Sequence, residues 1–233
     1  MTLLRSLAVA ICTLWVGLAA MAEDRPVVLE LYTSQGCNAC PPADNLLTQL
    51  SDRDDIIALA LHVDYWDYIG WKDMFADPSH GLRQKEYAYR NGHRMVYTPQ
   101  MIVGGEVSLE GERSLSLLEL IAEQQAAAPM VALSISRSGD TLTINARPLQ
   151  NVSKPVAIHL VRFNPEQTVQ ITRGENRGKT LTYSNIVTSW DTVDLWDGAE
   201  PISLKVDTPG DARIAVILQE EDLGPIHAAA QLK

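Results

Sequence analysis

Apolar residues are spread along this chain in two different rhythms. In the first half they come in short continuous runs: Val27 to Leu31, broken only by Glu30, and Ile56 to Val63, broken only by His62. Such runs predict strands buried on both faces. Between them Ala43, Leu46, Leu47 and Leu50 recur at helical spacing, so strand, helix and strand form a βαβ unit with a parallel pair. Asp77-Pro78 opens a second helix, with Asp as cap and Pro in the first turn, ending near Asn91-Gly92. A strand at Gln100–Val103 turns at Gly104-Gly105 into Glu106–Leu109, and a third helix follows with Leu117, Leu118, Ile121 and Ala122 on one face.

After Ala126-Ala127-Ala128-Pro129 the rhythm changes to alternation. Val131, Leu133 and Ile135 alternate with small or polar residues, Ser138-Gly139-Asp140 turns, and Leu142, Ile144 and Ala146 alternate again. Further short strands fit at 156–163, 169–171, 181–189, 202–206, 214–219 and 226–230. Short strands separated by turn signals predict an antiparallel sandwich, with the boundary near Pro129.

The N-terminus changes the compartment. Arg5, an apolar stretch from Leu7 to Ala20 and the small-x-small end Ala20-Met21-Ala22 read as a cleaved export signal over residues 1–22. A retained anchor is the competing reading. Removing the segment takes away Cys12 and Arg5, so the formal charge of −10 becomes one unit more negative. An acidic export product has no electrostatic footprint for nucleic acid or an anionic membrane. The expected location is periplasmic or secreted, where a disulfide persists.

Of three cysteines in the sequence, Cys37 and Cys40 then remain. They follow the first strand and open the first helix, where helix-end N–H groups favour a thiolate. Cys37 is the expected exposed attacker and Cys40 the resolving thiol, with Pro41 tolerated in the first turn. A structural disulfide is the bland alternative. A zinc site needs further ligands, and no second CxxC or closely spaced His pair is present.

Thr98-Pro99 stands directly before the strand at Gln100. With the CxxC upstream, the order of elements resembles the thioredoxin fold. More narrowly, the stretches 30–44, 62–71, 96–101 and 173–181 resemble a family of bacterial secreted thioredoxin-like proteins of unknown function. The resemblance implies a thioredoxin-like domain over residues 23–129 and a C-terminal β-sandwich domain over 130–233. It also implies a cis Pro99 beside the dithiol, and a Thr98 backbone that pairs with an extended substrate. Asn38-Ala39 replaces the Gly-Pro of well-studied thioredoxins, and Leu31 stands where they keep a buried acid, with Glu30 one place earlier. On a strand that shift reverses the face, so Glu30 either relays protons across a bulge or points elsewhere.

His62 ends the second strand, as a core histidine or as a group that tunes Cys37 or completes a Cys-Cys-His copper site. Tyr65, Trp66 and Gln100 are candidate substrate contacts, although packing also accounts for the aromatic cluster from Tyr65 to Phe75. His80 and His93 read as solvated. Residues 173–179 read as a hairpin turn, or as a contact between domains or with a partner.

The expected architecture is thus an α/β thioredoxin-like domain followed by an all-β sandwich. The expected chemistry is thiol–disulfide exchange at Cys37 and Cys40, on a protein or small-thiol substrate and with a redox partner. It needs no cofactor, no metal and no stable membrane anchor. The alternatives are a Cu(I) carrier using the same cysteines and a scaffold with a structural disulfide.

Overall fold

The computed structural model describes residues 25–110 and 114–233; the expected export segment lies outside them. The βαβ unit forms as the pattern predicts. Strands β1 (Val27–Thr33) and β2 (Ile56–His62) pair in parallel from Val27 opposite Ile56 to Thr33 opposite His62, with helix α1 (Pro41–Leu50) between them. Helix α2 (Pro78–Arg90) starts where Asp77 accepts a hydrogen bond from the Ser79 N–H at 2.8 Å. Strands β3 (Gln100–Val103) and β4 (Val107–Glu110) form the hairpin through Gly104-Gly105, and β3 runs antiparallel to β1.

Helix α3 (Ser114–Ala126) differs in its buried face. Leu117 and Ile121 pack inward with Leu120 beside them, whereas Leu118 and Ala122 face solvent. The stripe therefore steps 117, 120, 121 rather than 117, 118, 121, 122, because both choices satisfy helical spacing and only packing selects one.

In the second half β5 (Val131–Ser138) and β6 (Thr141–Pro148) form the expected hairpin, and β9 (Ile202–Asp207) joins the other edge of β6. The strands expected at 156–163 and 169–171 are one strand, β7 (Val156–Gln170), in a long hairpin with β8 (Thr180–Trp196). Strands β10 (Arg213–Glu220) and β11 (Ile226–Leu232) complete the chain. None of the described helices is long and apolar enough to cross a membrane.

The expectation of an α/β thioredoxin-like domain followed by a separate sandwich is corrected here. Among the described residues strands make up 44% and helices 19%, and eight strands form one mixed sheet in the order β11-β10-β7-β8-β2-β1-β3-β4. Four of those strands precede Pro129 and four follow it. The junction is β2 with β8, parallel, where Ala60 lies opposite Ile186. Asn185, at φ 49°, extends it by donating from Nδ2 to the Ala58 carbonyl at 2.9 Å. The physical reason is that β2 is buried along its whole length. Both of its edges need backbone partners, and β1 supplies only one.

Strands β7 and β10 are correspondingly apolar on both faces. Ile158, Leu160, Ile214, Val216 and Leu218 pack on the three-stranded sheet β5-β6-β9. Val161, Phe163, Ala215 and Ile217 share a second cluster with Val28, Tyr32, Leu59, Leu61 and Tyr87. A third cluster, on the other face of β1 and β2, holds Leu31, Ala43, Leu47, Met101 and Leu117. The β3–β4 turn also locks against the second half: a Cβ on Gly105 (φ +75°) would come within 2.6 Å of the Gly224 carbonyl.

Glu30 faces the α2 side, away from α1. Its fully buried carboxylate accepts from Arg83 Nε at 2.8 Å and Nη2 at 2.9 Å, from Tyr87 Oη at 2.8 Å and from Tyr32 Oη at 2.9 Å. Arg83 Nη2 also donates to Gln219 Oε1 of β10 at 2.8 Å, and its guanidinium lies 3.9 Å from the Trp190 ring centre. Burial alone would raise the Glu30 carboxyl, but the Arg83 charge and these donors outweigh it and hold the group below its ordinary range.

Two outcomes follow from this shared sheet. A fragment of residues 23–129 should show no cooperative unfolding transition by calorimetry, since it lacks the second partner of β2 and half of a core cluster; a sharp transition would mean the half folds alone. Arg83→Met should lower the unfolding free energy by about 3–5 kcal/mol in urea titrations, because Glu30 is left as an uncompensated buried charge. In the native protein the Glu30 contribution is complete above the ordinary glutamate pKa and is lost as pH falls through the lowered folded value.

Candidate functional site

Strand β1 ends at Thr33, and the chain turns through Ser34, Gln35 and Gly36 into Cys37, which is disulfide-bonded to Cys40 with Cα atoms 5.4 Å apart. Cys40 caps α1, and Pro41 and Pro42 occupy the first helical positions, where a missing N–H costs nothing. Asn38 and Ala39 are exposed, but Cys37 and Cys40 are only 1% and 0% exposed. The expectation of an exposed Cys37 therefore fails for the disulfide form.

The backbone around Cys37 is also tied to the tip of the β7–β8 hairpin. Asn176, buried on that tip, donates from Nδ2 to the carbonyls of Gln35 and Cys37, both at 2.9 Å, across 139 positions of sequence in the second case. Lys179 Nζ donates to Asn176 Oδ1 at 2.8 Å and fixes the amide's orientation. Gly174, at φ +72°, lets the tip approach Trp71, whose Cβ would lie 3.1 Å from an added Cβ. Residues 173–179 thus both close a hairpin and hold the CxxC loop.

The Thr98–Pro99 bond is cis, and Cys37 Sγ lies 3.8 Å from the Thr98 carbonyl oxygen. The three residues expected to contact substrate support this segment. Trp66 Nε1 donates to Thr98 Oγ1 at 2.7 Å, and Tyr65 Oη donates to Gln84 Oε1 at 3.0 Å. Gln84 Nε2 donates in turn to the Tyr97 carbonyl and to Gln100 Oε1, both at 2.7 Å. Burial pushes the Tyr65 hydroxyl up to about 12, against the opposing pull of Gln84 and Thr98. Gln100 is buried, whereas Tyr97 and Met95 are exposed beside it.

A polar cluster lies on the α1 face behind the disulfide. His62 is fully buried, with Nδ1 2.7 Å from Asp73 Oδ2, and its ring meets Phe75 and Tyr183 edge-on at 5.2 and 4.9 Å. Asp73 Oδ2 also accepts from the Gln35 N–H at 2.7 Å, tying this cluster to the CxxC loop. Asp44 stands one helical turn after Cys40 and accepts from Thr33 Oγ1 at 2.7 Å. Burial, with some help from Asp73, pushes the Asp44 carboxyl up to about 7, against the pull of His62 and Thr33. Four buried polar atoms of this region, Asp44 Oδ2, His62 Nε2, Tyr183 Oη and Gln35 Nε2, have no hydrogen-bond partner among the described residues.

Cys37, Cys40, Thr98, Pro99, Tyr65, Trp66, Gln100 and His62 therefore belong to one neighbourhood. Glu30 does not: it lies on the opposite face of β1, in the Arg83 network. His93 is exposed as expected, but His80 is buried, with Nδ1 2.8 Å from the His62 carbonyl. Among the described residues no three His, Cys, Asp or Glu side chains are grouped to hold a metal ion. Sequence reasoning passed over Asp44, although an acid four places after a cysteine on an apolar helical stripe is a visible signal. It also passed over Asp73 and Tyr183, which carry no such signal.

Comparisons with known proteins agree with this layout without assigning a role. The model of a family described as "Protein of unknown function (DUF1223)" matches residues 28–219. The crystal structure of protein AGR_C_4864 from Agrobacterium tumefaciens superposes with a TM-score of 0.76 at 30% identity, covering 88% of this chain and 93% of that one. A superoxide reductase in the oxidised state reaches a TM-score of only 0.23 at 9% identity, over 45% of this chain and 88% of its own, and carries no argument. No curated protein matches. With most of its length matched by the family model, from β1 through to β10, the chain belongs to the DUF1223 family.

Proposed function

We propose that this protein is an exported thiol–disulfide exchange protein, periplasmic or secreted, whose working couple is Cys37–Cys40. The observation that carries the reading is the placement of the disulfide: it opens a helix and sits against the Thr98-Pro99 segment, 3.8 Å from the Thr98 carbonyl. This local likeness to dithiol sites of the thioredoxin type supports exchange, as does the absence from the mature chain of any other cysteine. A substrate thiolate attacks Cys37 Sγ, the Cys37–Cys40 bond breaks, and Cys40 leaves with the electron pair. A second substrate thiol then displaces Cys37 from the mixed disulfide, so the substrate is oxidised and the protein keeps two thiols. The reverse sequence reduces a substrate disulfide. The exposed Met95 and Tyr97, adjoining Thr98, offer apolar contact to an extended substrate.

Asn176 on the β7–β8 tip holds the CxxC loop at the Gln35 and Cys37 carbonyls. Asn176→Ala leaves the Gln35 and Cys37 carbonyls without their buried donor. It should lower stability by about 1–3 kcal/mol and speed reduction of the disulfide by dithiothreitol.

The central test is exchange itself. Cys37→Ser should abolish reduction of disulfide substrates, and Cys40→Ser should trap a mixed disulfide visible by intact-mass spectrometry. In graded thiol buffers the wild-type couple should titrate reversibly above about −270 mV. A bond that resists reduction below about −300 mV would instead mark a structural staple.

A further inference from the structure

The polar cluster behind the disulfide is costly unless it is used. Buried polar atoms are ordinarily hydrogen-bonded, yet Asp44 Oδ2, His62 Nε2, Tyr183 Oη and Gln35 Nε2 are all left without a partner among the described residues. They converge from different elements: α1, the end of β2, β8 and the CxxC loop. Asp73 joins them, since it holds both His62 Nδ1 and the Gln35 N–H at 2.7 Å. Among the described residues no arginine or lysine pairs with Asp44, in contrast to the Glu30–Arg83 pair on the other face. Asp44 projects from the same helix as Cys40, four residues on, and residues at that spacing share a helix face.

We propose that Asp44 is the proton donor and acceptor for Cys40, an assignment that rests on the exchange reading above. When a substrate thiolate bonds to Cys37 Sγ and the Cys37–Cys40 bond breaks, Cys40 receives the electron pair and Asp44 gives it a proton. In the reverse step the Asp44 carboxylate takes the proton from the Cys40 thiol. Cys40 then bonds to Cys37, and the substrate sulfur leaves as a thiolate. A carboxyl with its midpoint at about 7 suits both directions at neutral pH. The groups facing it are Thr33 from β1, His62 from β2, Asp73 from the loop before α2 and Tyr183 from β8. Of these, His62 lowers the midpoint and Asp73 raises it.

The test reacts the reduced full-length mature protein with 5,5′-dithiobis(2-nitrobenzoate) in a stopped-flow instrument. The first thionitrobenzoate equivalent reports attack by Cys37, and the second reports resolution by Cys40. Asp44→Asn keeps an oxygen to accept from Thr33. It should leave the first phase unchanged, slow the second by about 100-fold at neutral pH, and abolish the rise of that phase through pH 7. An unchanged second phase with an unchanged pH profile overturns the assignment. Should the variant fail to fold, the Asp44 carboxyl carbon is titrated by NMR in reduced wild type. A midpoint close to 7 supports the proposal, and an ordinary one at about 4 overturns it. A wild-type protein that releases no first equivalent defeats the exchange reading itself, and the role of Asp44 with it.

Discussion

Everything in this molecule depends on how β2 is satisfied. Its seven residues are buried on both faces, so its backbone groups are out of reach of water and each edge must find its partners within the protein. β1 takes one edge in parallel; β8 takes the other through Ala60, Ile186 and the Asn185 amide. That second pairing draws the long β7–β8 hairpin into the first sheet. The same hairpin ends in the tip that carries Asn176, so the choice of strand neighbour also decides what holds the CxxC loop. Fold and candidate site are linked by one backbone requirement.

Two buried acids on opposite faces show how differently one sheet can treat a carboxylate. Glu30 meets a guanidinium, two tyrosine hydroxyls and, through Arg83, a glutamine of β10. Its charge is retained, and it binds α2 to strands from both halves. Among the described residues Asp44 has one hydroxyl donor and no arginine or lysine partner, so burial outweighs the opposing pull of His62 and Thr33 and its proton is held to higher pH. One is an anchor in the packing; the other is a group whose proton can move. Their difference comes from neighbours that are distant in sequence, and a one-residue shift along β1 is what directs Glu30 away from the dithiol.

Legibility followed the range of the interaction. The βαβ unit, the Asp77 cap, the Gly104-Gly105 hairpin and the Ser138-Gly139-Asp140 turn are local, and each formed where spacing and turn chemistry placed it. The separate sandwich failed because the alternation of β5 and β6 does not continue into β10. Ile214 to Leu218 is apolar at every position, the mark of a strand buried on both faces. That run was the available sign that β10 lies inside a larger sheet. The exposed Cys37 failed for a longer-range reason, since its sulfur lies against the Thr98 carbonyl, 61 residues away.

By itself the amino-acid sequence determined the vicinal cysteines, Cys37 and Cys40, the Thr98-Pro99 step before β3, and the periodicities that commit each segment to strand or helix. These are properties of adjacent residues, decided by backbone sterics, capping and hydrophobic spacing. Only the tertiary structure decided that two halves with different textures share one sheet, that Glu30 and Asp44 lie on opposite faces, and that Asn176 holds the CxxC loop. Those outcomes turn on which buried backbone edges and polar atoms find partners across the whole chain, and no local pattern encodes that pairing.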